Sequence, residues 1–268
     1  MSQDGKALKG EWALILGASS GFGAECSREL ARAGVNIIGI HLDRKTTQPA
    51  VEATVADVKG AGVEALFINM NAADETRRAE ALEEIARRLG THKTIRVLLH
   101  SLAFGTLKRF VEDDPREQVT KAQMEMTVDV MAHSLVYWVQ DLVSRKLMGP
   151  GGRVFAMTSS GGTRVWPTYG AVSAAKACLE SHVRQLALEL APKGITANCI
   201  RAGVTDTPAL RKIPGHDKMI EAAKERNPGG RLTTPRDVAK ALAAFCVNGT
   251  DWMTGNVIGV DGGEDIVG

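Results

Sequence analysis

Seven short apolar runs, spaced by helical patterns from one end of the chain to the other, restrict its possible folds more than any other feature. Trp12–Leu16, Asn36–Ile40, Ala65–Ile68, Arg96–Leu99, Val154–Met157, Thr196–Ile200 and Val257–Val260 read as strands. Helices are expected over 23–33, 76–89, 119–147, 173–190 and 236–247. The second of these carries Ala79, Leu82, Ile85, Ala86 and Leu89 at helical spacing. Such alternation over 268 residues predicts one doubly wound α/β domain, a seven-stranded, mainly parallel sheet with helices on both faces. The one irregular stretch, 206–231, is rich in Pro and Gly with a short amphipathic piece at Met219–Ala223. A long segment after a strand's carboxyl end is expected to act as a substrate lid.

Composition removes several function classes. A formal net charge of +2 gives no reason to expect nucleic acid or a membrane surface as partner. The opening MSQDGKALKGEW lacks the apolar run of a signal peptide, and no window approaches a membrane span. Cys26, Cys178, Cys199 and Cys246 are scattered, with no CxxC pair and no histidine read at a metal-like spacing. The expectation is therefore free thiols in a reducing cytoplasm and no metal. His133 and His182 are read as packing or surface residues, and Met124, Met126 and Met131 as core or subunit packing, with a contribution to an acyl groove as the alternative.

The first strand runs into Gly17-Ala18-Ser19-Ser20-Gly21-Phe22-Gly23 and then a helix. Gly17 permits a tight turn, while Gly21 and Gly23 let backbone approach a pyrophosphate at the positive end of the helix. A glycine triplet alone is weak; at the first strand–helix junction of an alternating chain it is strong evidence for a Rossmann-type dinucleotide site. Tyr169 and Lys176 form the second constellation. Seven residues turn about 700°, within about 20° of two full turns, so both side chains share a face of the helix. Ser159 and Ser160 follow the fifth strand and open toward the same region.

The GxxxGxG spacing resembles that of the short-chain dehydrogenase/reductase superfamily, a likeness that continues to Thr254-Gly255-Asn256 and Val260-Asp261-Gly262-Gly263. In most of these enzymes a tyrosine stands four residues before the lysine; here that position is Val172, and Tyr169 lies about 4.5 Å further along the axis. A ketone reductase protonates oxygen on the carbon that receives hydride. An enoyl-thioester reductase delivers hydride to the β-carbon while charge builds on a carbonyl oxygen further along, so its donor must stand further off. Tyr169 fits that geometry. The chain accordingly resembles the divergent NADPH-dependent branch of the enoyl-acyl-carrier-protein reductases. His100-Ser101-Leu102-Ala103-Phe104, Arg201-Ala202-Gly203-Val204-Thr205-Asp206-Thr207 and Asn227-Pro228-Gly229-Gly230-Arg231 support the likeness.

The resemblance implies a set of roles. Ser19, Ser20, Gly21, Phe22 and Gly23 would hold the diphosphate with Gly17, and Asn71 and Ala72 would flank the adenine. Ser101, Leu102 and Ala103 would line the nicotinamide, with Gly203, Val204 and Thr207 on its carboxamide and the diphosphate. Lys176 would anchor the ribose and lower the Tyr169 pKa. Tyr169 would stabilise the enolate, with Phe104 and Ser159 beside the substrate. His41 stands where NAD-specific relatives carry an acid, and Arg44 and Lys45 follow it. NADPH is therefore expected over NADH, with Asp43 keeping NADH open. Ser159 replaces a second tyrosine common in enoyl reductases, and Asp129 replaces an asparagine. The expected activity is reduction of enoyl chains on acyl carrier protein, in fatty acid biosynthesis, by a cytoplasmic homotetramer. The rivals are a ketoacyl or hydroxy oxidoreductase using Ser159 with Tyr169, and a non-catalytic dinucleotide sensor.

Overall fold

A computed structural model describes residues 8–91, 93–247 and 249–267. All seven expected strands are present, each within two residues of the expected ends: β1 Trp12–Leu16, β2 Asn36–His41, β3 Ala65–Asn69, β4 Ile95–His100, β5 Arg153–Ser159, β6 Thr196–Ala202 and β7 Val257–Val260. They form one parallel sheet in the order β3-β2-β1-β4-β5-β6-β7. The order reverses between β1 and β4, which opens a crevice beyond their carboxyl ends, the place where open α/β sheets bind ligands.

The pleat divides the core. Trp12, Leu14 and Leu16 of β1 face one apolar layer, where they meet Leu82 and Ile85 of α3 (Glu75–Leu89). Leu135 and Trp138 of α5 (Ser134–Ser144) join that layer, as do Leu179 and Val183 of α6 (Gly170–Leu190). Ala13 and Ile15 face the other layer, against Cys26 and Leu30 of α1 (Gly21–Arg32), Val58 of α2 (Gln48–Gly60) and Val238 and Leu242 of α8 (Pro235–Phe245). Side chains two apart on a strand share a face, so β1 to β6 feed both layers, while the edge strand β7 adds only Val260 to the second.

Two helical expectations change. The sequence reading left 48–60 without an element, yet α2 forms there, opened by Pro49 in its first turn. Its buried stripe is only Val51, Thr54 and Val58, and the threonine in the middle disguises the period. The stretch expected as one helix over 119–147 is α4 (Lys121–Val128), a π-helical turn (Asp129–His133) and α5. Thr120 opens α4 with a reciprocal cap: its side chain accepts from the Gln123 amide, and the Gln123 side chain accepts from the Thr120 amide. In the 206–231 segment, a short 3-10 turn (Leu210–Lys212) leads into α7 (His216–Arg226).

Candidate active site

The β1–α1 turn is built for an anion. Gly17 takes φ +90°, and a Cβ there would meet the Ser101 carbonyl oxygen at 2.5 Å; a Cβ at Gly23 would collide with the Gly17 carbonyl. Only glycine lets the turn fold this tightly against the end of β4. Ser20 precedes α1 without capping it by its side chain, and no acidic residue occupies the first helical turn. The first amides of α1 thus point outward with the positive end of the helix dipole behind them, which suits a diphosphate. A threonine from across the crevice completes the mouth, since the Thr207 methyl lies 3.7 Å from where a Gly21 Cβ would sit. These features fit a dinucleotide, with Gly17, Ser19, Ser20, Gly21, Phe22 and Gly23 around its phosphates.

At the end of β2, His41 is buried and its Nδ1 lies 3.0 Å from Asp43. Burial raises the Asp43 pKa, but hydrogen bonds from Thr47, Ser19 and His41 outweigh it and hold the carboxyl below its ordinary value. Asp43 is clamped to Asn69 at the end of β3 through both its backbone amide and its carbonyl. Arg44 and Lys45 are exposed, and neither forms an ion pair among the described residues. Asn71 is exposed and Ala72 buried, and the Ala72 carbonyl accepts from the Trp138 indole at 2.9 Å. That bond ties the turn after β3 to α5.

Beyond β4, Ser101 and Leu102 are partly buried, and Ala103 and Phe104 are exposed. His100, before them, is fully buried with Nε2 2.9 Å from Ser134 Oγ. The Ser134 hydroxyl spends its proton on the Val130 carbonyl, so it accepts and His100 donates from Nε2. Burial, then the nearby Lys176 charge, push the imidazole down to about 3, so it is neutral. Its Nδ1 is buried without a partner.

Lys176 and Tyr169 both lean on β5. The buried Lys176 ammonium donates to the Met157 carbonyl at 2.7 Å, and burial pushes it down to about 8. Tyr169 occupies the N-cap position of α6, and its hydroxyl lies beside the side chain of Ser159, two residues after Met157. Burial raises the tyrosine pKa, outweighing the opposite influence of the neighbouring Ser159 hydroxyl. This corrects the expectation that Lys176 lowers it: here the hydroxyl keeps its proton and acts as a donor. Gly161 gives the ring room, since a Cβ there would stand 2.5 Å from Tyr169 Cε1.

The residue before the tyrosine is strained. Thr168 has φ +66°, and its hydroxyl is buried without a partner. A β-branched residue in this region costs about 1–2 kcal/mol and signals a constraint imposed by its surroundings. Val172, in the position where most short-chain enzymes carry tyrosine, is instead buried with Val130, Met131 and Ala175 in a small apolar cluster. Met126, Leu107 and the Tyr169 ring pack on that cluster.

On the far side, Gly203 and Val204 follow β6. The Val204 amide already donates to the Glu264 carboxylate at 2.9 Å, so a carboxamide would meet its carbonyl and side chain. Two hydrogen bonds tie segment 206–231 to its surroundings: the Trp166 indole donates to the Pro214 carbonyl at 3.1 Å, and Asn227 Nδ2 donates to the Asp261 carbonyl at 2.8 Å. Within the segment, Arg211 pairs with Asp206 at 2.7 Å. Asp129, read as an asparagine replacement, begins the π-turn.

The sequence reading found no histidine at a metal-like spacing from a cysteine, and the structure corrects that point. Cys178 stands four residues before His182 on α6, with its Sγ 3.2 Å from His182 Nε2, and His133 approaches the same atom. Cys26, Cys199 and Cys246 are buried and Cys178 only partly so.

The parallel sheet, the glycine turn and the Ser159–Tyr169–Lys176 line along β5 are those of a nucleotide-dependent oxidoreductase of the short-chain type. The chain belongs to the short-chain dehydrogenase/reductase family: residues 17–264 match the family model described as enoyl-(acyl carrier protein) reductase. A 1-cyclohexenylcarbonyl-CoA reductase of Streptomyces collinus is 29% identical over 95% of this chain and 86% of its own length. A 3-oxoacyl-acyl-carrier-protein reductase of Pseudomonas aeruginosa is 28% identical over 96% of this chain and 98% of its own. The crystal structure of the NADH-named enoyl-acyl-carrier-protein reductase of Aquifex aeolicus superposes with TM-score 0.84 at 25% identity, covering 98% and 99% of the two chains. Among the described residues, no helix is long and apolar enough to cross a membrane.

Proposed function

We propose that this chain reduces trans-2-enoyl thioesters carried on acyl carrier protein, with NADPH as the reductant, in fatty acid biosynthesis. The carrying observation is the displacement of the tyrosine. Tyr169 stands at the N-cap of α6 with its proton in place, while Val172 closes the usual tyrosine position with apolar surface. A donor one turn further out matches an oxygen conjugated to the carbon being reduced. Bound in the crevice, the nicotinamide would supply hydride. Lys176 would hold its ribose, and Tyr169 would donate a hydrogen bond, then a proton, to the thioester oxygen as charge develops. The apolar cluster beside the ring would receive the acyl chain, and segment 206–231 would cover it and exclude water. The Streptomyces relative supports this reading, because a 1-cyclohexenylcarbonyl thioester is itself α,β-unsaturated.

Arg44 and Lys45, exposed and unpaired at the end of β2, support NADPH through its 2′-phosphate. Asp43 favours NADH as a second reading, since a carboxylate beside Ser19 accepts from ribose hydroxyls and repels phosphate. A homotetramer in the cytoplasm completes the proposal. Leu188, Trp252 and Val257 leave apolar surface exposed on α6, before β7 and on β7, where subunits would meet.

The nearness of the Ser159 and Tyr169 side chains favours ketone reduction as a competing activity, because the two hydroxyls could hold one carbonyl oxygen. The test is steady-state kinetics on crotonyl and acetoacetyl thioesters. The enoyl substrate should be reduced at least about ten times faster. Tyr169→Phe should lower kcat about 10²-fold or more with cofactor affinity unchanged, and Ser159→Ala should cost far less. Equal damage from both, or faster ketone reduction, sinks the enoyl assignment.

A further inference from the structure

We infer that His133, Cys178 and His182 form a binding site for a thiophilic transition-metal ion, with zinc as the ion it fits. The three residues come from two elements. His133 ends the π-turn, and Cys178 and His182 stand four apart on α6, hence on one helix face. His133 Nδ1 lies 2.9 Å from His182 Nε2, and Cys178 Sγ lies 3.2 Å from the same nitrogen. One ligand atom from each residue falls within 4.8 Å of the others.

Hydrogen bonding accounts poorly for this arrangement. His182 Nε2 has one in-plane position, either a lone pair or a proton, and two neighbours compete for it. A cation between the three atoms replaces both contacts at once. Zinc bonds of about 2.0–2.1 Å to nitrogen and 2.3 Å to sulfur give tetrahedral edges of roughly 3.3 Å between nitrogens and 3.6 Å from nitrogen to sulfur. The observed 2.9 and 3.2 Å separations therefore need to open by less than half an ångström each, within reach of side-chain rotation. Two imidazoles and a thiolate suit zinc rather than magnesium or calcium, which prefer oxygen. Three protein ligands leave a fourth position for water.

The surroundings agree. All three residues are partly buried, so ions can reach them while the local polarity stays low. The other three cysteines are buried, with Cys199 and Cys246 pushed up to about 12, which leaves Cys178 as the thiol the ion would meet.

The site sits among the catalytic elements without sharing their residues. Cys178 is two residues past Lys176, and His133 precedes Ser134, the partner of His100. An ion here would staple the π-turn to α6. This assignment is independent of which substrate the enzyme reduces.

The test uses the full-length, chelator-treated protein. Cobalt(II), as a spectroscopic probe, should bind one ion per chain. It should give visible bands of tetrahedral intensity and a near-ultraviolet sulfur-to-cobalt charge-transfer band, all lost when zinc is added. Cys178→Ser should abolish the charge-transfer band, and His182→Ala should weaken zinc at least tenfold, with NADPH-fluorescence binding showing that both variants are folded. The wild-type spectrum decides even if a variant fails to fold. No sulfur band at millimolar cobalt, or a band that survives in folded Cys178→Ser, overturns the site.

Discussion

Lowering the pH should unload stability through one imidazole, His100. In the folded chain its pKa is pushed down to about 3 from 6.5, because the ring is fully buried and the Lys176 charge is near. The unfolded chain protonates this histidine near pH 6.5 while the folded chain does not, so below that value the unfolded state holds one more proton. Stability then falls as pH falls, by about 1.4 kcal/mol per unit. The loss is nearly absent at pH 7.5 and reaches roughly 2.7 kcal/mol by pH 4.5, a large share of a typical folding free energy. Comparison with His100→Asn isolates the effect, since every other titrating group is common to both proteins. The assay is urea unfolding of each at pH 7.5, 6.0, 5.0 and 4.5, at one protein concentration. The wild-type advantage should shrink steadily between pH 6.5 and 4.5. Parallel stability curves for the two proteins would show that His100 is not held neutral, and would refute the burial argument.

Other perturbations address the cofactor and the strained turn. Arg44→Ala should raise the KM for NADPH about tenfold and leave that for NADH unchanged, a loss of one charge-assisted phosphate contact; equal change in both would remove Arg44 from the 2′-phosphate site. Lys176→Ala should weaken cofactor binding, measured by nicotinamide fluorescence, as well as kcat; normal binding with only kcat lost would refute the ribose anchor. Thr168→Gly should relieve the φ +66° strain yet lower kcat/KM several-fold, because the relaxed turn no longer fixes Tyr169. Unchanged kcat/KM would mean that the strain has no catalytic role.

The central strands were legible because a strand buried on both faces is written as a compact apolar run; β3 and β7, at the edges and less buried, were legible because they too are short apolar runs that end at polar residues. The glycine turn was legible because its residues are contiguous. Tyr169 and Lys176 were legible through helical geometry, although the tyrosine proved to cap the helix rather than lie within it. What escaped has physical reasons. Helix α2 hides its stripe behind Thr54, whose hydroxyl folds onto the Ala50 carbonyl and lets a polar residue be buried. The π-turn leaves no mark on a pattern of apolar residues. In the His133–Cys178–His182 group, His133 lies 45 positions before Cys178, and only the Cys178–His182 spacing could have been noticed. The Tyr169 shift depends on the depth of the site, which spacing does not encode.

The π-turn at Asp129–His133 amounts to one residue more than a regular helix needs over that length. Deleting a single residue there would return the stretch to a regular helix from Lys121 to Ser144 with both flanks in phase, so Trp138 would still donate to Ala72 and Met126 would still pack beside Tyr169. The change would fall on the side chains of the turn itself: Val130 and Met131, which line the cluster beside Tyr169, and His133, which meets His182 on α6, would each shift. The chain can therefore lose a residue here without losing its helix or unseating either half, and the cost would fall on the wall of the site.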